Sequence, residues 1–476
     1  MGKKNRERRA AKAKKRIKGR ARQGPGPHSD AAWAAGDGWL RPPGDADRVR
    51  MLLEAVVTAR LRGDIAAASE MIQALTRHDE QVVVREVGAE LRRVLPVLWD
   101  AGWQPAEIAG QARRSSARVG RLVAAAVLAD HAPRPATTLH ARWAAQVADL
   151  AAADRPAHVA ASARDWLDAF ARREALRGDA LVGALLDALT TCLGVGPLPV
   201  IVPPPGRSAT QTDATGRASA NVADDDPVLA KVRALLTQAE STSFEAEAAA
   251  FTAKAHELMA RHAIDVAFIW ERAGRDERPV TIRLPIDDPY VDVKSLLLQF
   301  VAVHSRCRAV FHDRYALSSV IGFASDVAAT EMLFTSLLVQ SQMAMQAEAA
   351  VGGPGSRVRS RSFRSSFLLA YAHRIEERLN KVNCSVESEA DVTHDGSLLP
   401  VLAARSDAVD ETIDELFGEL RAAPVRGGTD GFGWTRGRMA ADLAQLTFGD
   451  LDGAPEHFSG GAGAGTGTSA VPIGAI

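Results

Sequence analysis

Apolar side chains recur three and four residues apart through long alanine-rich stretches, and this spacing most constrains how the chain can fold. One such run consists of Val49, Leu52, Leu53, Val56 and Val57, and another of Val84, Val87, Leu91, Val94 and Leu95. This spacing gathers apolar side chains on one face of a helix, and alanine has the highest helix propensity. Apolar residues make up 46% of the chain and aromatic residues 5%, so we predict a mainly α protein.

Changes in composition divide the 476 residues into six segments. The clearest boundary is a stretch rich in Pro, Gly, Ser and Thr, a composition typical of linkers between domains. The predicted organisation is a disordered basic tail and linker (1–47), a helical N-terminal domain (48–193), the Pro-rich linker (194–225), a helical hairpin (226–270), a small α+β domain with C-terminal helices (277–450) and a disordered Gly/Ala tail (451–476).

β-Strand signals occur in the C-terminal half of the chain. Residues 280–284 alternate between apolar and polar, while 307–311 and 318–323 are β-branched and aromatic runs separated by a short polar turn. This pattern predicts a short antiparallel β-hairpin. Helices are predicted at 296–303, 326–346, 367–379, 407–420 and 439–446.

The cysteines and the apolar stretches predict a soluble protein of the cytoplasm. Cys192, Cys307 and Cys384 are far apart and odd in number, which argues against a disulfide framework and for a reducing compartment. No apolar core follows the basic start, as it would in a secretory signal. The most apolar stretch, 181–202, contains an aspartate and is broken by glycines and prolines, so no membrane span is predicted.

Residues 225–265 resemble the short helical domain known as domain of unknown function 2786. Its pattern is a Lys-x-Arg-x-Leu-Leu helix, a Glu-Ser-Thr turn and an Ala-x-x-Leu-Met-x-x-His ending. The matching positions are Lys231, Arg233, Leu235, Leu236, Glu240, Ser241, Leu258, Met259 and His262. Residues 280–381, with CRAVF, VIGFASD and SFLLAYAHRIEERL, are similar to domain of unknown function 7168. The resemblance implies a fold and a domain order and no established activity.

Charge is segregated along the chain, although 58 basic residues balance 58 acidic ones. Residues 1–22 contain twelve Lys or Arg and one acid, whereas 385–476 contain fifteen acids and five Lys or Arg. A segment as basic as the first neutralises phosphates and binds nucleic acid or another polyanion without sequence preference. The alternative is a solvated terminus. The residues assigned to this contact are Lys3, Lys4, Arg8, Arg9, Lys14, Lys15 and Arg16.

Residues 103–123 fit a helix-turn-helix pattern, with Ser115 or Ser116 as the cap of the second helix. The side chains expected to pack between the helices are Ile108, Ala109, Val119, Leu122 and Val123. The face that would enter a major groove then carries Arg114, Arg118 and Arg121. Arg113 occupies the turn position where a left-handed backbone favours glycine. The alternative is a pair of packed helices with a solvated basic face.

Four arginines alternate with serine and valine in the polar connection 352–366: Arg357, Arg359, Arg361 and Arg364. In an extended chain the first three would face the same way and bind an anion bidentately, close to the N-terminus of the next helix. A mobile, solvated loop is the alternative.

No metal and no cofactor site is predicted. His256 and His262 are six residues apart, about 240° around a helix, whereas a zinc-binding helix needs histidines four apart. His262 is instead expected at a helix C-terminus. His304, Cys307 and His312 supply three of the four ligands that a closed zinc site needs, and Cys307 is expected in the core.

Three functions stay open. The preferred one is a non-enzymatic protein that associates with nucleic acid through its basic tail and the helix pair. The second is a hydrolase acting on phosphate-containing substrates in the C-terminal domain, with His304, His312, Arg361, Arg364 and His373 as its candidates. The third is a helical scaffold whose acidic C-terminal region binds basic partners or the chain's own basic tail.

Overall fold

The fold was analysed in a computed structural model. It describes residues 44–135, 138–153, 165–206, 227–241, 245–272, 274, 277–351, 356–393, 397–423, 425, 428–443 and 473–475. The described residues from 49 onwards form one compact unit, and of residues 1–48 the structure describes 44–48. The fold is mainly α with a small sheet, which confirms the predicted fold class.

The described residues before 195 form eight helices. They are α1 (Asp45–Leu61), α2 (Ile65–Leu75), α3 (Glu80–Asp100), α4 (Pro105–Ser115), α5 (Ala117–His131), α6 (Ala141–Ala153), α7 (Trp166–Arg173) and α8 (Gly178–Gly194). Aspartates begin two of them: Asp64 Oδ1 accepts the Ala67 N–H at 3.0 Å, and Asp79 Oδ1 accepts the Gln81 N–H at 2.9 Å. The apolar stripes read from the sequence form a common core, in which Trp103 and Trp143 are fully buried.

The predicted helical hairpin is present as α9 (Pro227–Ser241) and α10 (Glu245–Arg272). Leu229, Val232 and Leu236 are buried, as their spacing predicts, in a core that α9 and α10 share with the sheet and the later helices. The expectation that His262 lies at a helix C-terminus is wrong. The helix α10 continues ten residues beyond His262, which therefore lies inside the helix. The second half of α10 is extended by packing, since Ile264 and Trp270 are buried against other elements of the fold.

The sheet is built on three antiparallel strands, β1 (Val280–Pro285), β2 (Arg308–His312) and β3 (Leu317–Gly322), in the order β1-β3-β2. Arg283 pairs with Ser319 across β1 and β3, and Val310 pairs with Ser319 across β2 and β3. The predicted hairpin is therefore confirmed. Two short strands, β4 (Arg421–Ala423) and β5 (Ile473–Ala475), extend the sheet beyond β2. The strand β5 lies where a disordered tail was predicted; pairing through the backbone needs no apolar side-chain pattern, so this sequence gave no signal for it.

The described residues from 291 onwards include five α-helices: α11 (Val291–His304), α12 (Ala324–Val351), α13 (Arg361–Thr393), α14 (Leu398–Phe417) and α15 (Gly431–Leu443). The helices α13 and α15 pack closely, because a Cβ on Gly433 would lie 2.6 Å from the carbonyl oxygen of Phe363. The core between the sheet and the helices contains Val320, Leu333, Tyr371 and Ile375, all fully buried.

A buried ion pair joins α4 to the sheet. The Arg283 guanidinium donates to Glu107 through Nε at 2.7 Å and Nη2 at 3.0 Å, and both side chains are almost fully buried. The same guanidinium donates to the carbonyl oxygens of Pro199, at 2.8 Å, and Gly102. Glu107 is also the N3 residue of α4 and accepts the Gln104 N–H at 2.9 Å, so one carboxylate begins a helix and anchors a strand.

The first residues of the predicted Pro-rich linker are packed against both sides of this junction. Leu198 is buried and its N–H donates to the carbonyl oxygen of Ala101 at 2.8 Å. The Gly196 N–H donates to the Tyr315 hydroxyl at 2.7 Å. Residues 207–226 lie outside the described part, and the domain boundaries stay a prediction. Within the described residues, every helix is too short or too polar to cross a membrane.

Candidate functional site

The helix pair predicted at 103–123 is formed by α4 and α5, which Ser116 alone connects. The Ser116 hydroxyl accepts the Val119 N–H at 3.1 Å and so caps α5, as one of the two predicted serines should. The expected packing residues are all buried: Ile108, Ala109, Val119, Leu122 and Val123. The sequence therefore predicted the two helices and their packed faces correctly.

The turn between the two helices differs from the expected one. Arg113 is not left-handed but lies inside α4, which continues to Ser115, and the chain reverses at Ser116 with φ −161°. The close approach is made by Gly120, on which a Cβ would lie 2.8 Å from the Arg113 Cα. Because Gly120 has no side chain, α5 can pack directly against the backbone of α4, and a connection of one residue is long enough. A helix-turn-helix that reads DNA has a turn of 3–4 residues instead.

The three arginines assigned to the basic face are exposed, and two of them are paired with acids from other elements. Arg121 makes a bidentate contact with Glu174, at 2.8 Å through Nε and 2.6 Å through Nη2. The Arg114 Nε lies 3.4 Å from an Asp288 carboxylate oxygen. Arg118 lies close enough to Glu174 to act on it electrostatically.

Three cationic side chains surround Glu174: Arg118 and Arg121 of the basic face, and Arg173 of α7. The hydrogen bond from Arg121 lowers the pKa of Glu174, and the charges of Arg121, Arg173 and Arg118 lower it further. The Arg173 Nε lies 3.5 Å from the same carboxylate. Three guanidinium groups around a single carboxylate leave this surface of α5 and α7 with an excess of positive charge.

A groove of about 1070 Å³ lies between α3 and α7, near this surface. Its lining includes the apolar side chains Val84, Trp166 and Leu167. Gly88 lets α3 approach α7 closely, because a Cβ there would lie 2.8 Å from the end of the Leu167 side chain. We call it the arginine groove, because its lining includes Arg85, Arg92, Arg172 and Arg177. Two carboxylates, those of Glu80 and Asp168, also line it.

Nearby carboxylates neutralise only some of the arginines that line the arginine groove. The Glu80 carboxylate accepts the Gly178 N–H at 2.7 Å, at the positive N-terminal end of α8. The Arg85 Nε lies 3.4 Å from Glu86. Arg172 and Arg177 are exposed, and neither forms an ion pair with another residue of the described ranges. The groove therefore presents guanidinium groups to the solvent.

The sequence did not predict the arginine groove, because its two walls are more than seventy residues apart in the chain. The only local signal is the pair Arg172 and Arg173, which follows the apolar stripe of α7. The basic tail assigned to polyanion contact, residues 1–22, lies outside the described residues.

Arg357, Arg359, Arg361 and Arg364 do not lie in an extended chain. The expectation that the first three face the same way is therefore wrong. Ser356 caps a 3₁₀ turn at Arg357–Arg359, and α13 begins at Arg361, where the Ser360 hydroxyl accepts the Phe363 N–H at 3.1 Å. These serine caps favour helical turns over an extended chain. Arg357 donates to Asp430 at 2.7 Å and lowers the pKa of that carboxyl, whereas Arg359 points to the carbonyl oxygen of Ala349 at 3.5 Å.

The histidines considered for a hydrolase contact different partners. The His312 Nε2 lies 2.8 Å from the Ser319 hydroxyl within the buried hairpin, and His373 lies between the rings of Phe300 and Trp434. His304 ends α11, and its Nε2 lies 3.9 Å from a Glu376 carboxylate oxygen. Arg361 and Arg364 lie in the first turn of α13, and Arg361 is exposed.

The three cysteines do not take part in a metal site or a disulfide within the described residues. Cys192 and Cys307 are buried and Cys384 is exposed, all three as free thiols. Cys307 lies in the core, as predicted, and burial raises the pKa of its thiol. Among the described residues, no group of three or more His, Cys, Asp or Glu side chains is arranged to hold a metal ion.

Comparison with known proteins adds one finding, which concerns the helical hairpin. Residues 228–266 match the model of a family described as a protein of unknown function (DUF2786). The match covers α9 and most of α10, as the motifs of the sequence predict. The similarity of residues 280–381 to domain of unknown function 7168 stays a prediction. No curated protein and no solved structure matches the chain.

Proposed function

We propose that this protein associates with nucleic acid through the basic tail 1–22 and the arginine groove, and that it has no enzymatic activity of its own. The observation that carries the proposal is the arginine groove, with four arginines and two carboxylates. The cluster around Glu174 adds Arg118, Arg121 and Arg173 on neighbouring helices.

Guanidinium groups suit this role because they bind phosphate oxygens through paired N–H donors. Each phosphate that a protein neutralises releases counterions, so affinity falls steeply as salt rises. The pairing of Arg114 and Arg121 with acids, together with the one-residue connection between α4 and α5, argues against base reading by this helix pair. We therefore propose phosphate contact without sequence preference.

A salt titration tests the proposal. Fluorescently labelled duplex DNA is titrated with the full chain and with residues 23–476 across a series of salt concentrations. We expect binding of the full chain at low salt, with a linear fall of log K against log salt, and weaker binding with a shallower slope for residues 23–476. Absence of binding by the full chain at low salt would end the proposal.

A protein-interaction scaffold is the second candidate, and a stripe on α14 favours it. Five exposed acids lie three and four residues apart on this helix, and so share one face: Asp407, Asp410, Glu411, Asp414 and Glu415. Cross-linking the protein to polylysine tests this role. Cross-links that map to α14 would support a scaffold that binds basic partners, and cross-links spread evenly over the surface would not.

We do not propose the hydrolase, because its candidate histidines contact different partners: Ser319 for His312, Glu376 for His304, and the rings of Phe300 and Trp434 for His373. Two further assignments are proposals as well. The motifs quoted above support the assignment of residues 280–381 to domain of unknown function 7168. The three free cysteines support a reducing compartment, which for this protein we propose to be the cytoplasm.

A further inference from the structure

A small cavity lies where α10 meets α11, α12 and α13. Its volume is about 20 Å³, which is room for about one water molecule. The polar side chains of its wall are His256 of α10, His304 of α11, Ser305, Arg306, Asp326 of α12 and Asn383 of α13. His256 belongs to the segment that matches the family of unknown function.

His256 is the most deeply buried polar group of this wall, with 1% of its surface exposed. Neither ring nitrogen makes a hydrogen bond of ordinary geometry, although the Asn383 side chain and the Leu379 backbone lie near the ring. Burial lowers the pKa of His256 to about 4, so the ring is neutral at pH 7. A neutral imidazole offers one N–H donor and one acceptor nitrogen, and buried polar groups are normally hydrogen-bonded.

Two further buried atoms of the wall, the Asn383 Oδ1 and the Ser305 hydroxyl, also make no hydrogen bond of ordinary geometry, although Asn383 Oδ1 faces His256. The Asn383 amide nitrogen donates to the His304 carbonyl oxygen at 2.7 Å. This bond fixes the orientation of the amide, so the oxygen stays as an acceptor. A donor on His256, an acceptor on Asn383 and a hydroxyl that can do both are complementary to one molecule that donates and accepts hydrogen bonds.

The charges of the wall are already neutralised by partners outside the cavity. The Arg306 Nη2 donates to Glu387 at 3.0 Å, and Asp326 accepts from the buried Arg405 at 3.0 Å. Burial also lowers the pKa of His304. The cavity therefore suits a neutral ligand, and its volume excludes anything much larger than water.

We propose that this cavity binds one internal water molecule, which His256, Ser305 and Asn383 hold and which joins α10 to α11 and α13. Internal waters typically make about three hydrogen bonds to buried polar groups that would otherwise be unpaired. This site does not depend on the proposed association with nucleic acid.

The sign of a stability change tests whether His256 is hydrogen-bonded in the folded chain, and the crystal structure then decides whether its partner is a water. His256→Leu keeps a side chain of similar size and removes both ring nitrogens. If His256 binds a water, the variant deprives the water and Asn383 of a partner, and its urea midpoint falls below that of the wild type. If the imidazole is simply unpaired, the variant removes a buried polar group without loss, and the midpoint stays or rises. His256→Gln restores a donor and an acceptor. If His256 binds a water, we expect the urea midpoint of His256→Gln to lie between those of the wild type and His256→Leu.

Met259→Leu is the matched control, because Met259 lines the same cavity with an apolar side chain and this exchange is usually well tolerated. A crystal structure of the full wild-type chain gives the direct readout, which stands even if His256→Leu does not fold. We expect density for one water about 3 Å from a His256 ring nitrogen. A direct hydrogen bond between His256 and Asn383 with no such density would overturn the proposal.

Discussion

At the residue scale, the ion pair of Arg283 and Glu107 shows what a sequence can and cannot predict. Glu107 lies three residues after Gln104 at the start of a helix, a spacing that explains its capping bond without any distant partner. Its second partner is 176 residues away in the chain. Nothing in the local pattern of β1 marks Arg283 as buried, because an alternating strand usually turns its charged residues to solvent.

We expect Arg283→Met to lower the free energy of unfolding by about 3–5 kcal/mol, because it leaves Glu107 buried and unpaired. The double variant Glu107→Leu with Arg283→Met removes both charges and should regain part of this loss. Urea unfolding of the single and double variants measures both. A single variant within about 1 kcal/mol of the wild type would contradict a buried pair.

At the same scale, the buried side chains of His256 and His312 are expected to make the free energy of unfolding depend on pH. Burial lowers the pKa of His256 and of His312 to about 4 from an ordinary 6.5. Between these values the unfolded chain binds more protons than the folded one, so stability is complete above pH 6.5 and is lost as the pH falls towards 4. Each histidine contributes up to about 3 kcal/mol to this loss.

Urea midpoints measured from pH 7.5 to pH 4.5 test this expectation. We expect the midpoint to fall with pH in the wild type, and to fall less steeply in His256→Gln, because glutamine does not titrate. The same steepness in both proteins would show that His256 is not the group that takes up the proton.

At the element scale, the positions of helices and strands were predictable and several helix ends were not. The strands at 280–285, 308–312 and 317–322 lie within one residue of their predictions. The helix α13, predicted at 367–379, extends to 361–393. Its later turns bury Val382 and Val386 in a cluster with Leu398 of α14, and such tertiary contacts do not follow from local spacing.

The close contact of α4 and α5 gives a prediction at this scale. Gly120→Ala places a Cβ against the backbone of Arg113, which has to move, and we expect a loss of about 1–3 kcal/mol in the free energy of unfolding. Gly110→Ala, within α4, is the matched control. A Cβ there meets nothing within 4 Å, so we expect a gain of about 0.5–1 kcal/mol.

Thermal unfolding of the two alanine variants compares these effects directly. Opposite shifts of the melting temperature are expected. Equal shifts would mean that Gly120 does not determine how closely the two helices pack.

At the scale of the whole molecule, charge segregation could be read from the sequence and the arginine groove could not. The walls of the groove come from α3 and α7, and only the packing of these helices on the shared core brings their arginines together. The basic tail is a local property of composition, so the sequence alone suffices to identify it. Nucleic-acid association as proposed requires that the arginines of the folded groove also bind phosphates.

Duplex DNA binding by a groove variant, measured across salt concentrations, tests this claim most directly. Arg172→Gln with Arg177→Gln removes two exposed charges of the groove, and Arg272→Gln with Arg278→Gln removes two exposed charges elsewhere. Each lost phosphate contact lowers the slope of log K against log salt by about 0.9. We predict weaker binding and a slope shallower by up to about two for the groove variant, with the control close to the wild type. Equal affinities and slopes for both variants would contradict the account.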